Sequence, residues 1–459
     1  MMIVKFIEKL FKSYIPSSFS IAVVLTLISF IGAFCLTNES GESKYLIQIL
    51  SYWEKGVWDS SLLVFAYQMI LILILGHIIV LSPTIENLIS SLTKKIKTSS
   101  QALAILSVAT MLLAFFNWGM GLIFGAIFAR KIGEHCEKNK IKINYALVGA
   151  AGYIGLMVWH GGISGSAPIK AAENKHVKDL FKGVDNDKFI ELLPENISFS
   201  DTILSNSNLI TFGITLVIVP IVFWLLNKYL SPTKPKFNNI SINEVKANNE
   251  NEIVKVDSSK TVGIIFGIFV IISFFVSYGH DIKSLRITPN ALNLFMFGLA
   301  IILHKNFVSF LSALKTAIGG ASGILIQFPL YFGIMGIMKY SGLINVLSDF
   351  FISISSQTTL PIFTFFSAAI VNIFVPSGGG QWVIQGPIII EAAMNLGVPI
   401  EKVIMSLAYG DQLTNMLQPF WALPLLAITG LKANEILPFT LIVMCVGGFI
   451  FVGSIIFIM

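Results

Sequence analysis

Apolar runs of about 20 residues recur from one end of the chain to the other, each long enough to cross the ~30 Å hydrocarbon core of a bilayer as a helix. In lipid every backbone N–H and C=O must be satisfied by protein, so only helices and closed barrels can span. The runs are continuous rather than alternating, which predicts an all-α polytopic membrane protein. Charged residues make up only 12% of the 459-residue chain, against roughly 25% in soluble domains. The net charge of +6 needs no nucleic-acid partner, because cytoplasmic loops of membrane proteins collect Lys and Arg. Three scattered cysteines, Cys35, Cys136 and Cys445, make neither a metal site nor a disulfide framework. The N-terminal stretch "MMIVKFIEKLFKSYIPSS" reads as a short amphipathic helix without a cleavage site, retained rather than removed.

Full crossings are expected at 18–36, 60–81, 143–165, 207–228, 260–279, 288–304, 319–339, 402–426 and 435–457. Two apolar stretches do not fit this scheme. Residues 99–130 and 355–392 are too short for two crossings, and each carries a polar break, "FFNWGMG" in the first and "NIFVPSGGGQW" in the second. A half of about 15 residues rises ~22 Å as a helix, which reaches past the midplane without crossing. Both are therefore read as re-entrant hairpins. With the N-terminus inside, roughly two thirds of the Lys and Arg then fall in cytoplasmic segments, as the positive-inside bias requires.

The polar, aperiodic stretch 231–260 reads as a cytoplasmic linker. It divides a first repeat, 1–230 (hairpin 99–130, broken helix 143–168), from a linking helix at 261–287 and a second repeat, 288–459 (hairpin 355–392, broken helix 402–426). The extra span at 260–279 inverts the second half, giving the inverted-repeat plan of many secondary transporters, with about nine full crossings and two hairpins. At an offset of 255 residues Asn117 falls on Asn372, Gly125 on Gly380 and Gly155 on Gly410.

Irregular backbone at membrane depth is tolerated only against protein, water or a ligand. It occurs four times here: the hairpin tips at Asn117-Trp118-Gly119 and at Pro376-Ser377-Gly378-Gly379-Gly380, and the interrupted helices "WHGGISGSAP" (159–168) and "GDQLTNMLQPFW" (410–421). In an inverted repeat these pieces meet near the midplane, where substrate is held. The glycines bring bare amides up to a ligand, and the half-helix starting near Gln381 points its positive end at the same spot. Such a site suits a small anion. The two arginines, Arg130 and Arg286, lie at expected membrane edges. A site without a bidentate Arg favours a monovalent anion over a dicarboxylate or phosphate.

The expected substrate lining is Asn117, Gly119, His160, Gly161, Gly162, Ser164, Ser166, Asn372, Ser377, Gly378, Gly379, Gln381, Thr414 and Asn415, with Gln418 nearby. Each of these polar side chains could equally hydrogen-bond between helices. An aspartate within a span costs about 2.5–3.5 kcal/mol on insertion scales and usually serves ions or protons. Asp411, with Gln412, is therefore expected to carry the coupling ion; the bland reading is a cap at the nearby break. His160 could relay a proton or bond only to its own loop. Walker A, H-E-x-x-H and G-x-S-x-G motifs are all missing from the sequence. An enzyme would have to rest on His160 with Ser164 or Ser166, and nothing in the sequence orients the histidine.

At these same segments the chain resembles the short-chain fatty acid transporter family, through "FNWGMGLIFGAIFAR" (116–130), "WHGGISGSAPI" (159–169), "VPSGGGQWVIQGPI" (375–388) and "GDQLTNMLQPFWALPLL" (410–426). The resemblance spans both halves. It implies a permease of the bacterial cytoplasmic (inner) membrane with opposed hairpins, a scaffold part, a mobile part and a homodimeric assembly, taking up butyrate, acetoacetate or similar monocarboxylates. Related sodium-coupled dicarboxylate carriers place Ser-Asn-Thr at both tips. This chain has Asn117-Trp118-Gly119 and Asn372 upstream of Pro376-Ser377-Gly378 instead, so H⁺ and Na⁺ both stand as the coupling ion. No other cofactor is expected. The rivals are a cation/proton antiporter of the same broad architecture, which would ordinarily carry more than one intramembrane carboxylate, and a channel.

Overall fold

The computed structural model describes residues 18–37, 44–181, 187–233, 255–283 and 288–459. The expected N-terminal amphipathic helix, most of the 231–260 linker and Arg286 lie outside these residues. The described chain is helical, and its one β feature is an isolated bridge between Asn144 and Thr233, where the linker begins beside a helix start.

Helices α1 (Ser18–Leu36), α2 (Lys44–Val57), α3 (Ser60–Val80) and α4 (Pro83–Thr93) precede the first hairpin. That hairpin is α5 (Ser99–Phe116) and α6 (Trp118–Lys138), broken at the single residue Asn117. Helix α7 (Tyr145–Tyr153) tightens into a 3₁₀ turn at Ile154–Met157, and α8 (Ser166–Ala172) resumes after an irregular stretch. Next come α9 (Asn206–Tyr229), α10 (Lys260–Lys283), α11 (Pro289–His304), the long α12 (Phe307–Tyr340) and α13 (Leu343–Ser353). The second hairpin is α14 (Leu360–Phe374) and α15 (Gly378–Leu396). Helix α16 (Ile400–Thr414) runs through a 3₁₀ turn at Asn415–Leu417 into α17 (Pro419–Thr429), and α18 (Ala433–Phe457) closes the chain.

Among the described residues six helices are long and apolar enough to cross a membrane, α1, α3, α5, α9, α10 and α18; a seventh arises if the bent pair formed by α12 and α13 is counted as one span. Several expected crossings are shorter or interrupted. The stretch 143–165 is helical only to Met157, and 402–426 is broken at Asn415, both at sites where the sequence places glycine and polar residues. The first hairpin also differs in length. Its arms have 18 and 21 residues, longer than the ~15 expected, because α6 continues through the lysine-rich segment to Lys138. At its outer end α12 meets α13 at an angle of 59°, across Gly342, whose φ of +78° suits glycine.

Helix α12 packs on α1, α2 and α3, while α10 pairs with α11. The hairpin-bearing part has its own order: α5 and α6 pack together and against α7, and α14 lies along α16. Two glycines at the same relative place permit the close crossings. A Cβ on Gly155 would lie 2.7 Å from Ala114 Cβ and 3.0 Å from Thr110 Cγ2, and one on Gly410 would lie 2.1 Å from Phe365 O and 3.0 Å from Ala369 N. These contacts share the 255-residue offset (110 to 365, 114 to 369, 155 to 410).

The loop between α8 and α9, which the expected crossings with the N-terminus inside would place outside and which is called the outer loop below, is folded onto the second hairpin. Ala167, Ala171, Val177, Phe181, Leu193 and Ile197 form one buried cluster with Trp382, Ile389 and Ile390 of α15 and Val403, Ile404 and Leu407 of α16. Lys178 Nζ to Glu195 Oε1 (2.6 Å) and Lys175 N to Glu195 O (2.7 Å) pin the loop's two strands of chain together. The hydrogen bond from Lys178 holds the Glu195 carboxyl below its usual range.

Candidate polar centre between the broken helices

The first break is closed by its own side chain. Asn117 turns out of the helix into extended backbone (φ −151°, ψ 118°), and its Oδ1 accepts from Met120 N at 3.0 Å, capping α6. The amide of Trp118 is taken by Ser164 Oγ (2.9 Å), and Ile163 N donates to Phe115 O (2.7 Å). The irregular stretch 158–165 is thereby laid across the first tip. Gly162 has no room for a side chain, since a Cβ would fall 2.3 Å from Phe115 O.

From there the chain runs into His160, which is fully buried. Its Nδ1 lies 2.6 Å from Asp411 Oδ2, and its Nε2 accepts from the amide of Ala167 at 3.0 Å. Gln412 Oε1 accepts from two successive amides, His160 (3.0 Å) and Gly161 (2.9 Å), so this side chain fastens α16 to the loop. Asp411 is itself fully buried, and its second oxygen, Oδ1, has no hydrogen-bond partner.

Asn372, near the end of α14, ties the second hairpin to the second broken helix. Its Nδ2 donates among Asp411 O (2.6 Å), Thr414 Oγ1 (2.9 Å) and Asn415 Oδ1 (2.9 Å). Thr414 Oγ1 gives its proton to Ala369 O (2.9 Å), so it can only accept from Asn372. Gln418 Nε2 donates to Asn372 O in a short contact, and Tyr153 OH is within bonding distance of Asn415 O (2.8 Å) and Gln418 O (3.0 Å). Asn415 Nδ2 reaches Leu156 O. Carbonyls freed by the 3₁₀ turn are thus met from the other half of the chain, as buried backbone requires.

At the second tip Ser377 Oγ accepts from Gly380 N (3.2 Å), leaving the amides of Gly378 and Gly379 at the head of α15 without an acceptor. Gly378 sits directly on the His160–Asp411 pair: a Cβ there would meet His160 Cε1 at 2.7 Å, Trp159 Cη2 at 2.9 Å and Asp411 Oδ2 at 3.1 Å. A Cβ on Gly379 would find only Ser166, at 3.9 Å. Beside this tip runs an aromatic row, with Trp159 stacked on His160 (4.5 Å between ring centres), Trp118 edge-on to Trp159 (6.1 Å) and Trp421 edge-on to Trp118 (5.2 Å).

Fifteen of the seventeen residues singled out from the sequence, Gln418 included, belong to this connected set. Two do not. Gly119 faces Leu292 and Ile72, and Gln381 turns into α14, donating to Ala368 O (2.9 Å) and Gln385 Oε1 (2.7 Å). Residues the sequence did not single out also take part: Tyr153, Trp159, and the pair in which Tyr409 OH donates to Asn208 Oδ1 (2.8 Å) while Asn208 Nδ2 donates to Gly161 O (2.8 Å). Gln385 Nε2 continues from Gln381 to Ser348 and Ser367. The tyrosines sit in apolar runs and Asn208 at a helix start, where nothing in spacing separates them from packing or capping residues. The outer loop adds one further tie: Trp382 Nε1 donates to His176 Nε2 (3.1 Å), and burial, reinforced by Lys170, holds His176 below its usual basicity.

Long apolar helices, four interruptions meeting in one place and a buried acid–base pair there define a polytopic helical membrane protein of the transporter class. The profile of the short-chain fatty acid transporter family matches residues 1–458, and the chain belongs to that family. Two relatives bear the name "Putative short-chain fatty acid transporter". That of Escherichia coli (strain K12) is 32% identical over 462 residues, covering 98% of this chain and 97% of its own. That of Haemophilus influenzae (strain ATCC 51907 / DSM 11121 / KW20 / Rd) is 32% identical over 441 residues, covering 95% and 94%. Among solved structures, the YdaH transporter of Alcanivorax borkumensis is 13% identical with a TM-score of 0.43, covering 96% of this chain and 98% of its own. The Neisseria gonorrhoeae protein MtrF, described as one of a class of antimetabolite efflux pumps, is 13% identical with a TM-score of 0.40, covering 98% and 96%. Both scores are too low for the likeness to carry an argument.

Proposed function

We propose that the protein is a secondary transporter that takes up short-chain monocarboxylates such as butyrate or acetoacetate across the cytoplasmic membrane of a bacterium, driven by a cation gradient. The observation that carries this reading is the meeting of both hairpin tips with both interrupted helices at one buried centre. There the carboxylate would lie at the uncommitted amides of Gly378 and Gly379, near Ser166, with its short tail against the row Trp118, Trp159 and Trp421. Backbone amides at a helix head hold one negative charge without a buried cation, which fits an anion of single charge. A carboxylic acid with a pKa near ~4.3, as for Glu, is ionised at neutral pH, so passive entry is slow and a carrier has work to do.

The two halves pack alike at Gly155 and Gly410 against Thr110 with Ala114 and Phe365 with Ala369, which supports reading them as repeats, inverted by the span at α10, with α5–α6 and α14–α15 as re-entrant hairpins. Alternating access would then move the hairpin-bearing elements against α1, α2, α3 and α12. The antiporter reading is set aside on the family membership. Proteoliposomes offered labelled butyrate or acetoacetate under separately imposed H⁺ and Na⁺ gradients test the proposal. Saturable uptake above that of protein-free vesicles is expected; linear, non-saturating flux would point to a channel and refute it.

A further inference from the structure

The hydrogen bonds around His160 fix where its protons are. A ring nitrogen that accepts from a backbone amide carries no proton, and Nε2 accepts from Ala167 N at 3.0 Å. The neutral ring must then carry its proton on Nδ1, where it is donated to Asp411 Oδ2 at 2.6 Å. A second proton cannot enter the ring without breaking the Ala167 bond. It cannot settle on Oδ2 either, because that atom already receives the Nδ1 proton. One acceptor remains: Asp411 Oδ1, fully buried and without a partner.

We propose, resting on the transport reading above, that the cation carried with the substrate is a proton, and that it is bound at Oδ1 of Asp411 with His160 as the fixed donor that positions the carboxylate. A proton enters from the outer aqueous phase onto Oδ1, converts the buried pair from one negative charge to none, and leaves to the inner phase after the carboxylate has gone. Loaded with proton and carboxylate the centre carries the same single negative charge as the empty carrier, whereas the carboxylate without the proton would bury two like charges together. Only the fully loaded and the empty forms are therefore suited to passing between inward- and outward-facing states.

Most of the oxygens around Asp411 that could instead cage a sodium ion are spent, and Gln418 Oε1, buried without a partner, adds only one to Asp411 Oδ1 itself. Asp411 O, Thr414 Oγ1 and Asn415 Oδ1 converge on Asn372 Nδ2, a hydrogen-bond donor standing where the cation would have to be, and Gln412 Oε1 holds two amides. The other titratable groups on the surrounding elements are committed elsewhere or distant. Tyr153 and Tyr409 give their hydroxyl protons to carbonyl oxygens and to Asn208, and exposed Lys170 pairs with Glu173. Glu401 and Lys402 lie about 13–15 Å back along α16, and Glu391 about 20 Å along α15 from Gly378. With a single proton site and a monovalent anion the cycle is electroneutral at one to one.

The test uses wild-type protein in sodium-free proteoliposomes, with protein-free vesicles as the baseline. An inward H⁺ gradient is expected to drive saturable butyrate accumulation, and a potassium–valinomycin potential at equal pH is expected to drive none. Asp411→Asn, fixed in a neutral form, should lose uphill accumulation while counterflow of labelled against unlabelled butyrate proceeds and no longer varies with pH. His160→Ala removes the Nδ1 donor that positions the carboxylate, so the pH profile of counterflow should differ from that of the wild type. His160→Asn, which returns an N–H donor near the Nδ1 position, should restore it, an outcome that a purely structural histidine would not produce. Accumulation that follows a Na⁺ gradient and ignores H⁺ would overturn the proton site while leaving the transporter standing, as would H⁺-driven accumulation by Asp411→Asn. Absence of saturable uptake and of counterflow in the wild type would overturn the transport reading and this inference with it.

Discussion

The sharpest prediction concerns two adjacent glycines. Adding one methyl group at Gly378 places carbon 2.7 Å from His160 Cε1 and 2.9 Å from Trp159 Cη2, where carbon pairs prefer about 3.5–4.0 Å. Neither neighbour can yield by the ~1 Å required. The imidazole is held at both nitrogens, and the Trp159 ring is stacked on it. Overpacking of this kind costs about 1–3 kcal/mol, against a gain of about 0.4–1 kcal/mol from the stiffer unfolded chain, so Gly378→Ala should lose about 1–2 kcal/mol. Gly379→Ala gains the same entropy and meets nothing closer than 3.9 Å, so its stability should hold or rise. Thermal unfolding of the detergent-solubilised protein, followed by tryptophan fluorescence, reads the difference. Saturable butyrate uptake reads its consequence: Gly378→Ala should lose uptake because the tip can no longer seat on the pair. Equal unfolding midpoints for the two variants, with normal uptake by Gly378→Ala, would refute the argument.

Other expectations follow from the same contacts. Asn372→Ala strips the buried centre of a donor shared by three acceptors and should destabilise by about 2–4 kcal/mol, read as a lowered unfolding midpoint. Gly410→Ala sets a Cβ 2.1 Å from Phe365 O, a clash with backbone that cannot rotate away, and should abolish correctly folded protein on size-exclusion chromatography, whereas Gly213→Ala, with nothing within 4 Å, should be neutral. The outer loop should loosen in acid. His176 accepts from Trp382 only when neutral and its folded-state basicity lies below the ordinary 6.5, so the unfolded loop binds the proton more readily. Its stabilising contribution is therefore complete above pH 6.5 and is lost as the pH falls from there through the lower folded-state value. Amide protection, corrected for the intrinsic pH dependence of exchange, should fall across 166–181 and 187–205 over that window in the wild type and lose its pH step in His176→Gln.

Much of this architecture is legible in the sequence because membrane helices announce themselves by continuous apolar runs and their interruptions by glycine, proline and amide side chains. The breaks at Asn117, at Val375–Ser377 and after Met157 fall where those residues cluster. Spacing alone gives less on direction. Gln381 and Gly119 sit one or two residues from the tips, yet a helix turns successive side chains by about 100°, and both face away from the centre. Helix α2 escaped notice because its mixed composition (KYLIQILSYWEKGV) breaks the apolar run, although it packs closely on α12. The fold of the outer loop depends on contacts between residues as far apart as His176 and Trp382, which no local pattern encodes.

The two halves are alike in packing and unlike in chemistry, and the difference says where the work is done. Gly155 and Gly410 let equivalent helices approach equivalent hairpin arms, but at the same offset Leu156 and Met157 stand where the second half has Asp411 and Gln412, and Leu122 stands where it has Ser377. On the proposed repeat reading, a shared frame would supply the geometry of four meeting breaks, with the Asp411 carboxylate lodged on one side of it. His160, the single first-half residue bonded to that carboxylate, comes from the irregular stretch after Met157, where its counterpart at the offset is Asn415. The proposed carboxylate seat lies against the His160–Asp411 pair, since a Cβ on Gly378 would be 3.1 Å from Asp411 Oδ2. An anion bound there beside a charged Asp411 would bury two like charges, so protonation of Asp411 should precede movement of the substrate-loaded centre. Transport by the wild type should accordingly slow as the pH rises on both sides together, and a rate that is flat across that range would argue against an obligatory order.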